Sequence, residues 1–373
     1  MRSPETTTSA APRSSAEPSP DSAQAAPVTP PTPASASPSS PSSNVPAVSL
    51  TTAAGANRRR AGFALCPDGD GPPISLFYEV TGQKAPAPTL LLCDGLGCDG
   101  YVWKYLTWAL ATEYRIIHLQ YRGHGQSSLP ADLQNVRLSD FARDAVAVLD
   151  ACECERAIFI GHSMGVQVAL EAYNQTPERV AGLVLVCGSY GHPLRTFKGS
   201  DRLESLLPVL RATVSRMPKV VSALWRRALP TQLSFYLAQQ IEIDGTRVRR
   251  EDFFPYLEGL AAMDPRMFVC TMAAAGGHSA KDILSRIAVP TLIVAGRRDS
   301  FTPMTLSEEM AQVIPGAELH IIESGTHTAP IERPAEMAAT ISGFLRRRLA
   351  PPALPAASSE PAGSGAPSSR GPQ

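Results

Sequence analysis

Residues 156–173, RAIFIGHSMGVQVALEAY, combine two kinds of periodicity on either side of one short turn. The first part is a continuous apolar run, which predicts a strand buried on both faces of a sheet. The second part, from Met164 onward, has the spacing of an amphipathic helix. The turn between them is a G-x-S-x-G pattern, residues 161–165. The stretch therefore predicts a strand, a sharp turn that carries Ser163, and a helix.

Similar strand and helix patterns alternate on both sides of this stretch, which predicts a mostly parallel sheet covered by helices on both faces. The predicted strands are 63–65, 74–80, 89–93, 114–120, 180–188, 289–296 and 317–323, and the predicted helices are 101–111, 138–152, 305–314 and 334–349. Ser139 is the expected N-cap of the second helix. Residues 190–277 break the alternation with a mainly helical block, expected to form a cap above one edge of the sheet.

Two terminal segments have a composition that does not favour folding. Residues 1–55 are rich in Pro, Ser, Ala and Thr, and residues 351–373 share this bias. Such segments bury too little apolar surface to offset their conformational entropy, so both are expected to be disordered. The remaining residues, 56–350, are long enough for one large α/β domain with an insertion.

Composition and charge exclude several classes of protein. The chain has 34 basic and 34 acidic residues and a formal net charge of zero. This charge balance does not indicate a nucleic-acid-binding protein. No window approaches the roughly 18 apolar residues of a membrane span. The N-terminus lacks the apolar core of a secretory signal. The seven cysteines are scattered without zinc-site spacing. They are expected to be reduced thiols in a cytoplasmic protein that holds no metal.

Ser163 is the candidate nucleophile, because a serine in a sharp strand-to-helix turn presents its hydroxyl above the carboxyl edge of the sheet. The same turn leaves the backbone N–H of Met164 free to stabilise an oxyanion. A serine needs a base that is oriented by an acid. Asp299 in GRRDSFTP and His327 in ESGTHTAPIERP follow later strands in the order acid, then histidine. These three residues are the predicted catalytic set.

The other histidines lie in less suitable places. His118 and His320 fall within predicted strands and are expected to be buried fillers. His162 precedes the serine and is expected to point away from it. The remaining histidines lie in loops that do not follow the strand required for the base.

The chain resembles the α/β-hydrolase superfamily, in the branch of single-chain bacterial hydrolases with a helical cap. The resemblance spans residues 75–349 and depends on GHSMG, YRGHGQS, VPTLIVAGRRDSFTP and SGTHTAPIERP. It implies an α/β-hydrolase fold, a doubly wound sheet of about eight strands with an inserted cap. It also implies a triad of Ser163, Asp299 and His327 that needs no cofactor. The loop after strand 89–93 matches the family's oxyanion loop, which implies that Leu96 and Met164 donate the two N–H groups.

Two positions depart from the family pattern. Asp94 stands where a histidine is usual, and a carboxylate facing the oxyanion would be harmful. Asp94 is therefore expected to turn away and to accept hydrogen bonds from loop N–H groups or to cap the next helix. Gln120 replaces a frequent aspartate before Arg122, with an expected structural effect only.

The loop CDGLGCDG, residues 93–100, also matches two unrelated patterns. Gly95, Gly97 and Gly100 spell the G-x-G-x-x-G of a dinucleotide site. Such a site needs an acidic residue at the end of the next strand, where this chain has Gln120, Tyr121 and Arg122. The Asp-Gly pairs suggest a calcium loop, but the regularly spaced oxygen ligands do not follow. Both alternatives are disfavoured.

The residues together predict hydrolysis of an ester or related acyl bond in a small or medium-sized substrate. Fold and triad do not fix the reaction. A cofactor-free haloperoxidase or perhydrolase, a carbon–carbon bond hydrolase and an acyltransferase remain alternatives, as does a non-catalytic binding protein. The cap residues suggested to line the pocket are Phe197, Leu207, Trp225, Phe235 and Phe268. The sequence does not indicate the oligomeric state.

Overall fold

The computed structural model describes residues 59–69, 71–84, 87–241 and 243–349. The terminal segments predicted to be disordered, 1–55 and 351–373, lie outside these ranges. All seven cysteines lie within them as buried thiols.

An eight-stranded sheet in the order β1-β2-β4-β3-β5-β6-β7-β8 forms the centre of the fold. The strands are β1 Arg60–Asp68, β2 Gly71–Gly82, β3 Thr89–Cys93, β4 Arg115–Leu119, β5 Ala157–His162, β6 Val180–Val186, β7 Thr291–Gly296 and β8 Glu318–Ile322. β1 and β2 run antiparallel to their neighbours, and the remaining pairs are parallel. The predicted mostly parallel sheet of about eight strands is confirmed.

Helices cover both faces of the sheet. They are α1 Lys104–Leu110, α2 Leu138–Ala151, α3 Met164–Gln175, α4 Pro193–Thr196, α5 Arg202–Arg216, α6 Pro218–Ala228, α7 Gln232–Ile241, α8 Arg250–Ala262, α9 Pro265–Gly277, α10 Met304–Val313, α11 Ala329–Glu332 and α12 Pro334–Arg348. Short 3₁₀ turns connect several of them. Helix α2 begins after Arg137, whose N–H donates to the Asp140 carboxylate. Ser139 therefore lies inside the helix, and its predicted capping role was wrong.

The core lies on both sides of the sheet, as the continuous apolar strands require. In β3, which is buried throughout, Leu91 packs with α2 and α3 on one face. Its neighbours Leu90 and Leu92 pack with α1 and α12 on the other. Alternate residues of a strand point to opposite faces, so each strand of this kind contributes to both layers.

Helices α4 to α9 occupy the connection between β6 and β7. The parallel strands β3, β5, β6, β7 and β8 all end at one edge of the sheet. Loops that follow these strands therefore meet at that edge. The candidate site is built from four of these loops.

Candidate active site

Ser163 lies at the turn between β5 and α3, with φ 56° and ψ −119°. A positive φ is uncommon for a residue with a side chain and persists only where surrounding structure holds it. Here the Ser163 N–H donates to the carbonyl of Val186 on the neighbouring strand at 3.0 Å. The turn therefore holds the serine at the carboxyl edge of the sheet.

The glycines on either side of Ser163 allow the backbone to pass close to itself. A Cβ at Gly161 would lie 2.3 Å from the carbonyl oxygen of Gly165. A Cβ at Gly165 would lie 2.0 Å from the carbonyl oxygen of Cys93 at the end of β3. Both distances are far inside van der Waals contact. The G-x-S-x-G pattern is thus a steric requirement for packing the first turn of α3 against β3 and β5.

The structure brings the three predicted catalytic residues together. His327 Nε2 lies 2.9 Å from Ser163 Oγ. His327 Nδ1 lies 2.9 Å from Asp299 Oδ2. Asp299 follows β7 and His327 follows β8, so residues remote in sequence meet because their strands end at one edge.

The Asp299 carboxylate is buried and fully engaged. Its Oδ1 accepts from the backbone N–H groups of Phe301 at 2.8 Å and Thr302 at 2.9 Å. Its Oδ2 accepts from the Thr302 hydroxyl at 2.8 Å as well as facing His327. Burial raises the pKa of Asp299, but His327 and the Thr302 bonds more than offset this, so the pKa lies below its ordinary value. The carboxylate is therefore ionised beside the histidine.

A second buried carboxylate, Glu332, holds the loop that carries His327. Thr326 and Thr328, the residues on either side of His327, both donate hydroxyl hydrogen bonds to Glu332. The Thr326 N–H also donates to Glu332 at 2.8 Å. Glu332 was not among the site residues predicted from the sequence. Its signal is the pair of threonines that flank the histidine, followed by a glutamate in the next helical turn.

His162 forms a hydrogen bond to the same loop. Its Nε2 lies 2.8 Å from the carbonyl oxygen of His327 and donates to it, and the two rings are 5.1 Å apart. Burial, together with the repulsion from His327, lowers the pKa of His162 to about 4. The ring is thus neutral and acts as a hydrogen-bond donor. His162 was expected to point away from Ser163, which was wrong, because its ring lines the same cavity as Ser163.

The loop after β3 lies directly over Ser163. A Cβ at Gly95 would lie 3.2 Å from the Ser163 Cβ. The nearby turn bonds run from Cys98 N to Gly95 O and from Val166 N to Ser163 O. Among the turn and loop hydrogen bonds of the described residues, the N–H groups of Leu96 and Met164 take no part. Met164 begins α3, and the first N–H groups of a helix have no partner within it.

Asp94 turns away from this loop and is fully buried. Its Oδ1 accepts from Trp103 Nε1 at 2.7 Å, and its Oδ2 lies 2.8 Å from His118 Nε2. The predicted orientation is therefore observed, but its partners are side chains and not loop N–H groups or a helix end. His118 is an ion-pair partner and not a buried filler, and His320 is partly exposed beside Glu336.

The pKa of His118 is raised by this pairing. Burial alone lowers the pKa of His118, but the negative charge of Asp94, with smaller contributions from Glu79 and Asp99, outweighs it. The strand register explains the contact, because His118 lies opposite Leu92 in the parallel pair of β3 and β4. Protonation of this ring thus balances a buried carboxylate next to the loop that overlies the serine.

Gln120 has the structural effect expected of it. Its side-chain carbonyl accepts from the Gln126 N–H at 2.7 Å, which closes the loop that follows β4. In the same loop, the Arg122 guanidinium donates two hydrogen bonds to Asp144, at 2.9 and 2.7 Å, and one to Asp68 at 3.0 Å. All three side chains are mostly buried. These contacts tie the loop to α2 and β1.

A mainly apolar cavity of about 270 Å³ opens over Ser163 and His327. Helices α4, α5, α8 and α9 contribute Leu194, Leu203, Tyr256 and Phe268 to its wall. Phe268 is thus the one suggested cap residue that the described part of the structure places on the cavity. Leu207, Trp225 and Phe235 lie elsewhere, with Trp225 packed behind Phe268 and bonded to the Leu260 carbonyl. The side chain of Phe197 is outside the described residues.

Within 59–69, 71–84, 87–241 and 243–349, no group of three or more His, Cys, Asp or Glu side chains is placed to hold a metal ion. In the same ranges, every helix is too short or too polar to cross a bilayer.

A family model described as the alpha/beta hydrolase fold matches residues 88–334. The chain belongs to the α/β-hydrolase family. The proposed carbamate hydrolase RutD of Variovorax paradoxus is 30% identical over 289 residues, which cover 74% of this chain and 98% of that protein. A second relative is the 2-hydroxy-6-oxononadienedioate/2-hydroxy-6-oxononatrienedioate hydrolase of Paraburkholderia xenovorans. It is 28% identical, and the alignment covers 81% of this chain and 99% of that protein. The prediction that this chain is an enzyme of the α/β-hydrolase family is confirmed.

Solved structures show the same fold. A thermophilic esterase from Thermogutta terrifontis aligns with a TM-score of 0.62 at 22% identity, over 77% of this chain and 98% of its own. The enol-lactonase from Burkholderia xenovorans aligns with a TM-score of 0.59 at 22% identity, over 73% and 97% of the two chains. At this level of sequence identity, the structural similarity establishes only the α/β-hydrolase architecture.

Proposed function

We propose that this α/β-hydrolase cleaves an ester, or a related acyl bond, of a small to medium-sized substrate through a covalent acyl-enzyme. The observation that carries the proposal is the unbroken hydrogen-bond chain from Ser163 through His327 to Asp299, with both links at 2.9 Å. A nucleophile, a base and an orienting acid in this order are the requirements for activating a serine hydroxyl.

The reaction proceeds in two halves. His327 Nε2 accepts the Ser163 proton while Oγ attacks the substrate carbonyl, and Asp299 stabilises the imidazolium that forms. The imidazolium then protonates the leaving alcohol, and the acyl group remains on the serine. In the second half the neutral imidazole takes a proton from water as that water attacks the acyl-enzyme, and the imidazolium then returns the proton to Ser163 Oγ as the acid leaves. No cofactor takes part in these steps.

The N–H groups of Leu96 and Met164 are the proposed oxyanion donors. Both lie in backbone that packs around Ser163, and Asp94 directs its charge toward Trp103 and His118 instead of the reacting carbonyl. Donors fixed before the reaction stabilise the tetrahedral oxyanion without reorganisation, and each contributes about 10²–10³ in rate in measured cases.

The helices between β6 and β7 are the proposed cap, and their side chains limit the substrate. A cavity of about 270 Å³ is near the lower end of ligand pockets, which supports a short or medium acyl group. The lining is mainly apolar, so the acyl or alcohol part is expected to be hydrocarbon-rich. Carbamate and enol-lactone, named for two relatives, also present a carbonyl carbon and belong in the same substrate survey.

A fluorophosphonate probe tests the nucleophile directly. We expect covalent labelling of the native protein and none of Ser163→Ala. Ser189→Ala is the matched control, because Ser189 lines the same cavity but donates its hydroxyl to the Gly191 carbonyl. It should label like the native protein. Native protein that resists the probe, or equal labelling of Ser163→Ala, would refute the mechanism.

A set of p-nitrophenyl esters of increasing acyl length tests the substrate class. We expect kcat/KM to rise and then fall within short to medium chains, since longer chains exceed the cavity. A lactone and an aryl carbamate in the same assay compare the acyl classes. Labelling without turnover of any of these carbonyl substrates would count against ester or related acyl hydrolysis.

A further inference from the structure

Exposed apolar side chains are concentrated on three consecutive helices of the proposed cap. Nine of the fourteen large apolar residues that are exposed in the described part lie between positions 206 and 237. They are Leu206, Val209 and Leu210 on α5, Met217 at the N-cap of α6 with Val220 and Leu224 on that helix, and Leu233, Tyr236 and Leu237 on α7. Within each helix they recur every three or four residues, so each helix presents one apolar stripe to solvent. We name these nine residues the outer helical face.

The outer helical face does not include the residues through which these helices pack against the rest of the protein. Helix α5 packs on α9, α6 on α8 and α9, and α7 on α8. The residues of these helices that are buried or packed against the core are others, such as Val214, Trp225 and Phe235. Apolar area of this extent is not needed for the core, and such patches mark interaction sites in soluble proteins.

The charge around this face identifies the kind of partner. Residues 198–241 contain seven basic and two acidic residues, a net charge of +5 in a chain whose total is zero. Arg216, Lys219, Arg226 and Arg227 are exposed beside the apolar stripe of α6. A second copy of the same face would bring like charges together, which is unfavourable. Apolar stripes flanked by Lys and Arg are instead typical of helices that lie in the interface of an anionic membrane.

The outer helical face also adjoins the cavity. Leu203 lines the cavity, and Leu206 and Leu210 follow it three and seven residues later on α5. These spacings place the three side chains on one side of the helix. A single apolar stripe therefore runs from the cavity wall to the exposed face.

We propose that the outer helical face docks the enzyme on an anionic lipid surface. The apolar stripes insert at the level of the headgroups, while Lys219, Arg226 and Arg227 keep their charges among the phosphates. The further consequence, that the cavity draws amphiphilic acyl substrates from that surface, rests on the proposed function; the docking itself does not.

Sedimentation of the full-length protein with vesicles tests the docking. We expect binding to phosphatidylcholine vesicles that contain phosphatidylglycerol, little binding to phosphatidylcholine alone, and release by salt. The triple variant Lys219→Gln, Arg226→Gln, Arg227→Gln should lower partitioning about a hundredfold, since each basic residue near the surface contributes roughly a fivefold factor.

A second variant tests the apolar stripes. Leu206→Ser, Leu224→Ser and Leu233→Ser in one chain should abolish binding, because each removes an exposed side chain that inserts. Leu65→Ser on β1 is the matched control, with Leu65 70% exposed on another surface. It should bind like the native protein. Circular dichroism checks that each variant is folded.

Four results would overturn the proposal. These are no binding to anionic vesicles, equal binding to neutral vesicles, unchanged binding of both multiple variants, and lipid-free self-association that those variants abolish. Ser163→Ala separates this proposal from the catalytic one, because it should bind vesicles normally. Lost vesicle binding with intact probe labelling refutes docking only, whereas lost labelling with intact binding refutes the mechanism only.

Discussion

Asp94→Asn removes one charge from a buried pair and leaves the shape of the side chain unchanged. The native carboxylate accepts from Trp103 Nε1 at 2.7 Å and from His118 Nε2 at 2.8 Å. An asparagine has one acceptor oxygen, so it satisfies one of these donors and turns its NH₂ group toward the other. The variant therefore loses a charge-assisted hydrogen bond at a position where the Asp94 side chain is buried.

The magnitude depends on the protonation of His118. With His118 protonated, the lost charge-assisted bond contributes about 1.5–3 kcal/mol, and a buried donor without a partner adds to the loss. We therefore expect Asp94→Asn to lower the free energy of unfolding by about 3 kcal/mol at about pH 5.5. With His118 neutral, its ring nitrogen accepts from the asparagine NH₂. The loss then falls to about 1 kcal/mol.

The direction of the pH dependence follows from the raised pKa of His118. A base whose pKa is raised by folding contributes stability that is fully present below its unfolded pKa, about 6.5. That contribution disappears as the pH rises through the higher folded pKa. The difference between native protein and Asp94→Asn should therefore be largest in acid and should shrink toward about pH 9.

Urea unfolding of both proteins at about pH 5.5 and about pH 9 measures this difference. Asp99→Asn is the matched control, because burial raises the pKa of Asp99 to about 6 and its charge is unfavourable in the fold. Neutralising Asp99 should leave stability at about pH 9 unchanged or increase it. An equal or greater loss for Asp94→Asn at the alkaline pH would refute the role assigned to the His118 pair.

Three further substitutions test other parts of the structure. Asp299→Asn should lower kcat about 10⁴-fold, as in other triads; ester turnover near native levels would exclude Asp299 as the acid. Gly165→Ala should prevent stable folding, since its Cβ would lie 2.0 Å from Cys93 O, and a native melting temperature would contradict that packing. Arg122→Gln should lower the free energy of unfolding, measured with urea, by about 3–5 kcal/mol, because it leaves Asp144 buried without its partner. The exposed control Arg143→Gln should lower it by about 1 kcal/mol or less.

Local features of the sequence account for the framework of the candidate site. The glycines at 161 and 165 are required by close backbone contacts, so the G-x-S-x-G pattern carries its own steric explanation. The order of strands along the chain, together with the parallel sheet, was enough to predict that Ser163, Asp299 and His327 follow strands that end at one edge. These predictions needed only periodicity, chain order and the G-x-S-x-G motif.

Partners of buried polar side chains depend on which strands and loops become neighbours. His118 and Asp94 meet because β4 lies beside β3 in a fixed register, and neither strand pattern encodes that register. The contact of His162 at the end of β5 with the His327 loop likewise depends on which loop the fold places beside that strand. Sequence periodicity distinguishes buried from exposed positions, but it does not identify the atom opposite a buried polar group.

In the helical block between β6 and β7, some features are likewise set by the local sequence and others by the whole fold. Its amino-acid sequence determined that it forms helices, since the three- and four-residue spacing of apolar side chains is local. Only the tertiary structure decided which apolar stripes face inward, because α8 and α9 cover one side of α5, α6 and α7 and leave the outer helical face exposed. Burial is a property of what lies next to a surface, and that neighbour is set by the whole fold.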